Sequence, residues 1–285
     1  MKFEILKDPE KSERKRKYVR EKYSLESFGS IVRYVMPALE SPFPKLSSFL
    51  EHGPYPRQFW GIDYFIATNN KYIETIVPAS AYYKIAFRSI ADELYSINQS
   101  KARIDRILDE INAAYRTTRE VLPGTNQSSF YAYECVYQLK SELGNFFFVS
   151  RSILDTAATL MHFLYGPKSK QHRSFSRFRE FTLKNQDPKF LTDDEMKIYM
   201  TKNMTWYLRL KDTRDYITHH KSMDIDFFEQ PTGDIRVYLE SQFELSGFVH
   251  SVHGGISEFF TFIDGHFTRR LTEHTADSHG EESAS

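Results

Sequence analysis

The chain has 285 residues, with 38 basic and 38 acidic side chains, a formal net charge of zero and a pI near 7.2. That balance excludes a whole-surface field for nucleic acid, so any such contact must be a local patch. The single cysteine, Cys135, excludes an intramolecular disulfide and fits a reducing, cytoplasmic setting.

The length is enough to bury a large core. The opening MKFEILKDPEKSERKRKYVREKY is too charged for a secretory signal. Charges interrupt every stretch long enough to span a bilayer, so no membrane partner is expected. Aromatic residues make up 15% of the chain, and most are expected in the core.

Residues 7–22 alternate Arg14, Lys15, Arg16, Lys17, Arg20 and Lys22 with Asp8, Glu10, Glu13 and Glu21. They read as a solvated helix end, or as a basic arm that touches phosphates. Six of the eleven prolines fall between 37 and 78 (Pro37, Pro42, Pro44, Pro54, Pro56, Pro78). Proline fixes φ and removes a donor, so this stretch is expected to be an irregular segment packed on a helical body.

From residue 79 the apolar spacing becomes helical. Ile85, Ile90, Leu94 and Ile97 form one run, and Ile104, Ile107, Leu108, Ile111 and Tyr115 a second. With Asn98-Gln99-Ser100 between them, a helical hairpin is predicted. Pro123-Gly124 closes it.

A long helix is predicted over 128–165, capped by Ser128 or Ser129, kinked near Gly144 and stopped by Gly166-Pro167. A shorter one covers 174–185. The next starts at Thr192-Asp193-Asp194-Glu195, which offers a cap and acidic residues for the positive helix end. Its apolar stripe is Met196, Met200, Met204, Tyr207, Leu210, position 214 and Ile217. Position 214 is Arg, on the face the pattern would bury.

Asp224–Phe228 and Ile235–Leu239 flank the turn signal Pro231-Thr232-Gly233-Asp234 and predict a β-hairpin. A last helix is predicted over 241–273, interrupted at Gly254-Gly255, with a disordered tail over 275–285. The organisation expected is an unassigned N-terminal region to 125, a helical bundle over 126–274, and the tail. No P-loop, GxGxxG or CxxC is present.

The chemistry-bearing stretch is Arg214-Asp215-Tyr216-Ile217-Thr218-His219-His220. Residues four apart share a helix face, so Asp215 and His219 are neighbours. A carboxylate beside an imidazole orients it, and an imidazole moves protons near neutrality. A guanidinium pairs with phosphate oxygens and keeps its charge. Lys211 and His220 add substrate contacts. The set suits attack by a ribose 2′-hydroxyl on its own 3′-phosphate, which needs neither metal nor cofactor and spares DNA.

The alternative has Arg214 paired with a buried carboxylate such as Asp155 and His219 closing the helix end. A second Arg-x4-His, Arg269 to His274, lies at a charged end without apolar context. His250-x2-His253 has helical spacing for a shared ion but no supporting ligand motif. Asp155 with Glu134 or Glu142 are further carboxylates of the kind helices carry routinely. Cys135 reads as a buried thiol.

Arg214-Asp215-x3-His219 resembles the R-(N/D/H)-x(3–5)-H motif of HEPN domains (higher eukaryotes and prokaryotes nucleotide-binding). The preceding long helix, with Arg151-Ser152-Ile153-Leu154-Asp155, is also similar. The resemblance covers about 128–273 and leaves 1–125 unplaced. It implies a HEPN-like helical bundle; the small β-hairpin departs from a minimal bundle, and with it and the proline-rich N-terminal segment the fold expected is mainly α.

The resemblance further implies a metal-independent endoribonuclease, a hydrolase of single-stranded RNA. His219 would be the acid/base, Arg214 the phosphate clamp and Asp215 the polar orienter. It implies a homodimer with motifs meeting in one cleft, and toxin–antitoxin or antiviral defence biology with a possible antitoxin or defence partner. Other members only bind, so a non-catalytic RNA-, nucleotide- or protein-binding module is the second expectation.

Overall fold

The computed structural model describes residues 2–5, 41–52, 64–68, 74–121, 132–166, 172, 174–184, 193–220 and 223–282. The charged stretch 7–22 lies outside the described residues.

The fold is mainly α. Among the described residues seven helices run α1 (Pro44–His52), α2 (Ala79–Val121), α3 (Ala132–Tyr165), α4 (Phe175–Lys184), α5 (Asp194–Lys202), α6 (Thr205–His220) and α7 (Leu245–Glu282). Two three-stranded antiparallel sheets join them. One is β1 (Lys2–Ile5), β2 (Tyr64–Thr68) and β3 (Glu74–Pro78); the other is β4 (Ile225–Glu229), β5 (Ile235–Leu239) and β6 (Phe243–Glu244).

Several expectations are corrected. The proline-rich segment holds α1, β2 and β3 and is not irregular throughout. Pro44 is the first helical residue, where a missing N–H costs nothing, and Pro78 ends a strand. The helical hairpin is one helix, α2. Asn98-Gln99-Ser100 contains no residue that fixes φ, and the side chains find partners. Ser100 Oγ accepts from Asn145 Nδ2 at 2.5 Å and from Arg103 Nη2 at 3.3 Å.

The helix expected from Thr192 is two helices, with Asn203-Met204 between them. α7 runs unbroken through Gly254-Gly255, and on to Glu282 where a disordered tail was expected. The predicted β-hairpin is present and gains a third short strand. Gly233 closes its loop at φ 86°, a left-handed conformation that suits glycine.

By compactness the chain forms two units, neither of them one continuous stretch. The first takes Met1–Asp92, Leu154–Lys197 and Phe259–Ser285; the second takes Glu93–Ile153 and Ile198–Glu258.

The first unit is built on aromatic rings. Buried Phe43 meets Phe87 at 4.6 Å and Phe260 at 5.4 Å between centroids. Phe175 meets Phe259 edge-on at 5.3 Å. α1 takes its N-cap from α7: Asp264 accepts from the N–H groups of Leu46 at 2.8 Å and Lys45 at 3.2 Å. α4 is capped likewise by Asp155, which accepts from Phe175 N at 2.8 Å.

The second unit buries Leu143, Phe147, Tyr207, Leu210, Leu239 and Val249. Its sheet is fastened to α2. Arg116 pairs with Asp234 at 2.5 Å and Arg119 with Glu229 at 2.7 Å. Asn112 Oδ1 accepts from Ile235 N at 2.8 Å.

Candidate active site

The second unit carries the Arg–Asp–His stretch on the last two turns of α6. Residues 211, 215 and 219 are four apart, so Lys211, Asp215 and His219 line one strip of this helix. Arg214 is offset from that strip, but its guanidinium is drawn to it. Nη1 donates to Asp215 Oδ1 at 3.1 Å, while Lys211 Nζ lies 3.5 Å from Asp215 Oδ2.

Among the described residues, the carboxylate partner of Arg214 is Asp215. The Arg214 side chain is 32% exposed. Among the described residues Nε is buried without a hydrogen bond, and the guanidinium carbon lies 5.6 Å from the ring centre of Phe148 on α3. The hydrogen-bonding capacity of Nη2 is uncommitted among the described residues. One helical turn on, Thr218 Oγ1 bonds back to Arg214 O at 2.8 Å.

His219 is exposed and makes no hydrogen bond or ion pair among the described residues. Both oxygens of Asp215 face cations, and no hydrogen bond joins it to His219. The side chain of His220 lies outside the described residues.

α3 supports this strip. Arg151 donates to Tyr207 Oη and stacks over that ring at 5.3 Å. With Phe148 against Arg214, the contacts run in opposite order along the two helices, so these stretches pack antiparallel. Phe146 and Phe147 are buried and Phe148 is exposed. Three consecutive helical residues span about 200° of the cylinder, wider than one apolar stripe. That run of three phenylalanines is the only sequence signal for Phe148.

Among the described residues, no group of three or more His, Cys, Asp or Glu side chains is placed to hold a metal ion. His253 Nε2 lies 2.6 Å from Asn98 Oδ1. Burial, with the Lys101 and His250 charges, lowers the His253 pKa. Glu142 pairs with Arg103 Nε at 2.8 Å. Cys135, near the start of α3, is half-buried, not buried.

The first unit holds a polar cluster that sequence reasoning missed. His266 Nε2 lies 2.6 Å from Asp193 Oδ2, and Nδ1 lies 2.9 Å from Glu195 Oε2. Tyr165 Oη donates to Asp193 Oδ2 at 2.5 Å, and Arg270 Nη1 stands 3.5 Å away. Asp193 Oδ1 caps α5 by accepting from Met196 N at 2.9 Å. Phe262 stacks on the imidazole at 5.1 Å.

Burial works against the Asp193 carboxylate. The hydrogen bonds from His266, Tyr165 and the Met196 N–H outweigh it and bring the pKa down to about 2. The signal available in sequence was a lone histidine between Ile263 and Phe267, on a face that must be buried.

No helix among the described residues is long and apolar enough to cross a membrane. Comparison with protein-family models, curated proteins and solved structures gave no match for this chain.

Proposed function

We propose that this chain is a metal-independent endoribonuclease of HEPN type that cleaves single-stranded RNA by 2′-hydroxyl attack. The observation that carries the reading is the Arg214 guanidinium, tied by one nitrogen to Asp215 with another nitrogen uncommitted among the described residues. It is linked through Asp215 to the strip that carries exposed His219. A phosphate placed on this strip would meet the guanidinium fork and the Lys211 ammonium. His219 would move one proton, from the attacking 2′-hydroxyl or to the departing 5′-oxygen.

Asp215 would act chiefly by holding Arg214 and Lys211 toward the strip. A single imidazole serves one of the two proton transfers, so a second copy of the chain in a homodimer would supply the other. A cytoplasmic setting and a role in toxin–antitoxin or anti-phage defence go with this reading.

The test is incubation of the purified chain with single-stranded RNA in chelator. The expected products end in 2′,3′-cyclic phosphate and 5′-hydroxyl, and both Arg214→Ala and His219→Ala lose them. Cleavage abolished by chelator and restored by a divalent ion would overturn the reading.

A second reading, a non-catalytic module that binds RNA, a nucleotide or a protein, is favoured by one observation. No group among the described residues orients the His219 ring. It predicts that His219→Ala leaves binding intact and that the parent chain cuts nothing.

A further inference from the structure

Phe148 is an exposed ring on a strip of α3 that also carries exposed Tyr137. Ser141, Asn145 and Ser152 lie on the same exposed side, and Phe148 itself is 48% exposed. Its one ring contact among the described residues is the Arg214 guanidinium. A large apolar side chain left half in water beside a cation gives the fold little. Among the described residues the same cation keeps a nitrogen uncommitted, and the Lys211 ammonium lies one turn away.

A flat π-surface and a charge-complementary fork thus sit side by side within the second unit. A nucleotide presents the matching pair, a planar base and a phosphate, within one repeat of its chain. Base–aromatic stacking tolerates any base, because every base has a π-face. Arg214 already covers part of the ring, and its guanidinium plane extends the stacking surface.

We infer that Phe148 is a base-stacking platform of this site, holding the base of a single-stranded nucleic acid while Arg214 holds the adjoining phosphate. The inference rests on the reading of this strip as an RNA site, and it assigns Phe148 as a positioning residue for the strand. The acidic side chains nearby, Asp212 and Asp215, face Lys211 and Arg214 at 3.6 Å and 3.1 Å. The net field on a strand is therefore modest, and stacking must carry much of the affinity.

The test uses the full chain bearing His219→Ala, so that RNA is not consumed, and a short oligoribonucleotide carrying 2-aminopurine. Binding is read by anisotropy and stacking by quenching of the 2-aminopurine emission. Adding Phe148→Ala is expected to raise Kd about 5- to 150-fold, the span that one base–aromatic stack supplies, and to remove the quenching. Phe148→Leu should behave like Phe148→Ala, and Phe148→Tyr or Phe148→Trp should keep both signals.

Salt dependence separates base from phosphate contacts. Arg214→Ala should lower the slope of log K against log salt by about 0.7, the single-strand value per phosphate. Phe148→Ala should leave the slope unchanged. A Phe148→Ala protein that binds within twofold of its parent, with quenching intact, overturns the inference while RNA cleavage by the unsubstituted chain still supports the nuclease reading. Conversely, an unsubstituted chain that cuts no RNA, with Phe148-dependent binding, sinks the nuclease and leaves the platform standing. Failure of the parent to bind any oligonucleotide overturns both.

Discussion

The His266 imidazole and the Asp193 carboxylate meet at 2.6 Å, each 2% exposed, and join α7 to the N-terminus of α5 inside the first unit. The other ring nitrogen faces Glu195, so each nitrogen has a carboxylate beside it. Removing the ring strips a buried carboxylate of one of its two close side-chain partners. His266→Ala should therefore lower the unfolding free energy by about 3–5 kcal/mol, read from urea denaturation. Glu195 is half-exposed, so Glu195→Gln should cost less than about 1 kcal/mol. Equal losses for the two variants would show that the buried bond is not the stronger.

Acid should dissolve the same cluster. The folded pKa of Asp193 is about 2, below its ordinary value of 3.8. The unfolded chain therefore binds the proton more readily, and the carboxylate stabilises the fold above the ordinary value. That contribution, about 2 kcal/mol, is lost as pH falls from about 4 through about 2. Asp193→Asn keeps a capping side chain but cannot titrate, so its urea midpoint should fall less steeply over that window. Parallel pH profiles for the parent and Asp193→Asn would contradict this.

Gly254 and Gly255 should respond to alanine with opposite signs. A methyl at Gly255 would overlap the buried indole of Trp206, whereas one at Gly254 meets nothing within 4 Å. Gly255→Ala should cost about 1–3 kcal/mol from overpacking, although alanine is the better helix former. Gly254→Ala should gain up to about 1 kcal/mol. Thermal melts of the two proteins decide the matter, since helix propensity alone predicts two gains.

At the candidate active site, substitution should change rate and leave the fold intact. His219 is exposed and has no hydrogen bond among the described residues, so His219→Ala should alter stability by less than about 0.5 kcal/mol. It should also lower RNA cleavage about 100- to 10,000-fold, as loss of an acid–base group does. Arg214→Lys should not restore what Arg214→Ala loses, because an ammonium cannot reproduce the fork. Initial rates with a fluorogenic RNA, beside melts of the same proteins, check both halves.

The local elements were legible wherever one period dominated. The Met196, Met200, Met204, Tyr207, Leu210 stripe is buried, the β4–β5 hairpin sits within one residue of its predicted ends, and Gly166 stops α3. The breaks were less legible. Asn98-Gln99-Ser100 and Gly254-Gly255 look like interruptions, yet both lie inside helices. Ser100 and Asn98 gain partners there, and Gly255 makes room for an indole. Neither compensation can be read from neighbouring residues alone.

Sequence by itself determined the helical class, the hairpin and the row Lys211, Asp215, His219 on one strip of α6. Those follow from backbone geometry, which converts spacing directly into faces. Only the tertiary structure decided that Asp215 turns to Arg214 and Lys211 instead of His219, that Phe148 lies against Arg214, and that His266 locks onto Asp193. Each of those is a choice among partners, most of them brought together from distant positions, and burial and hydrogen bonding make it only once the helices have packed.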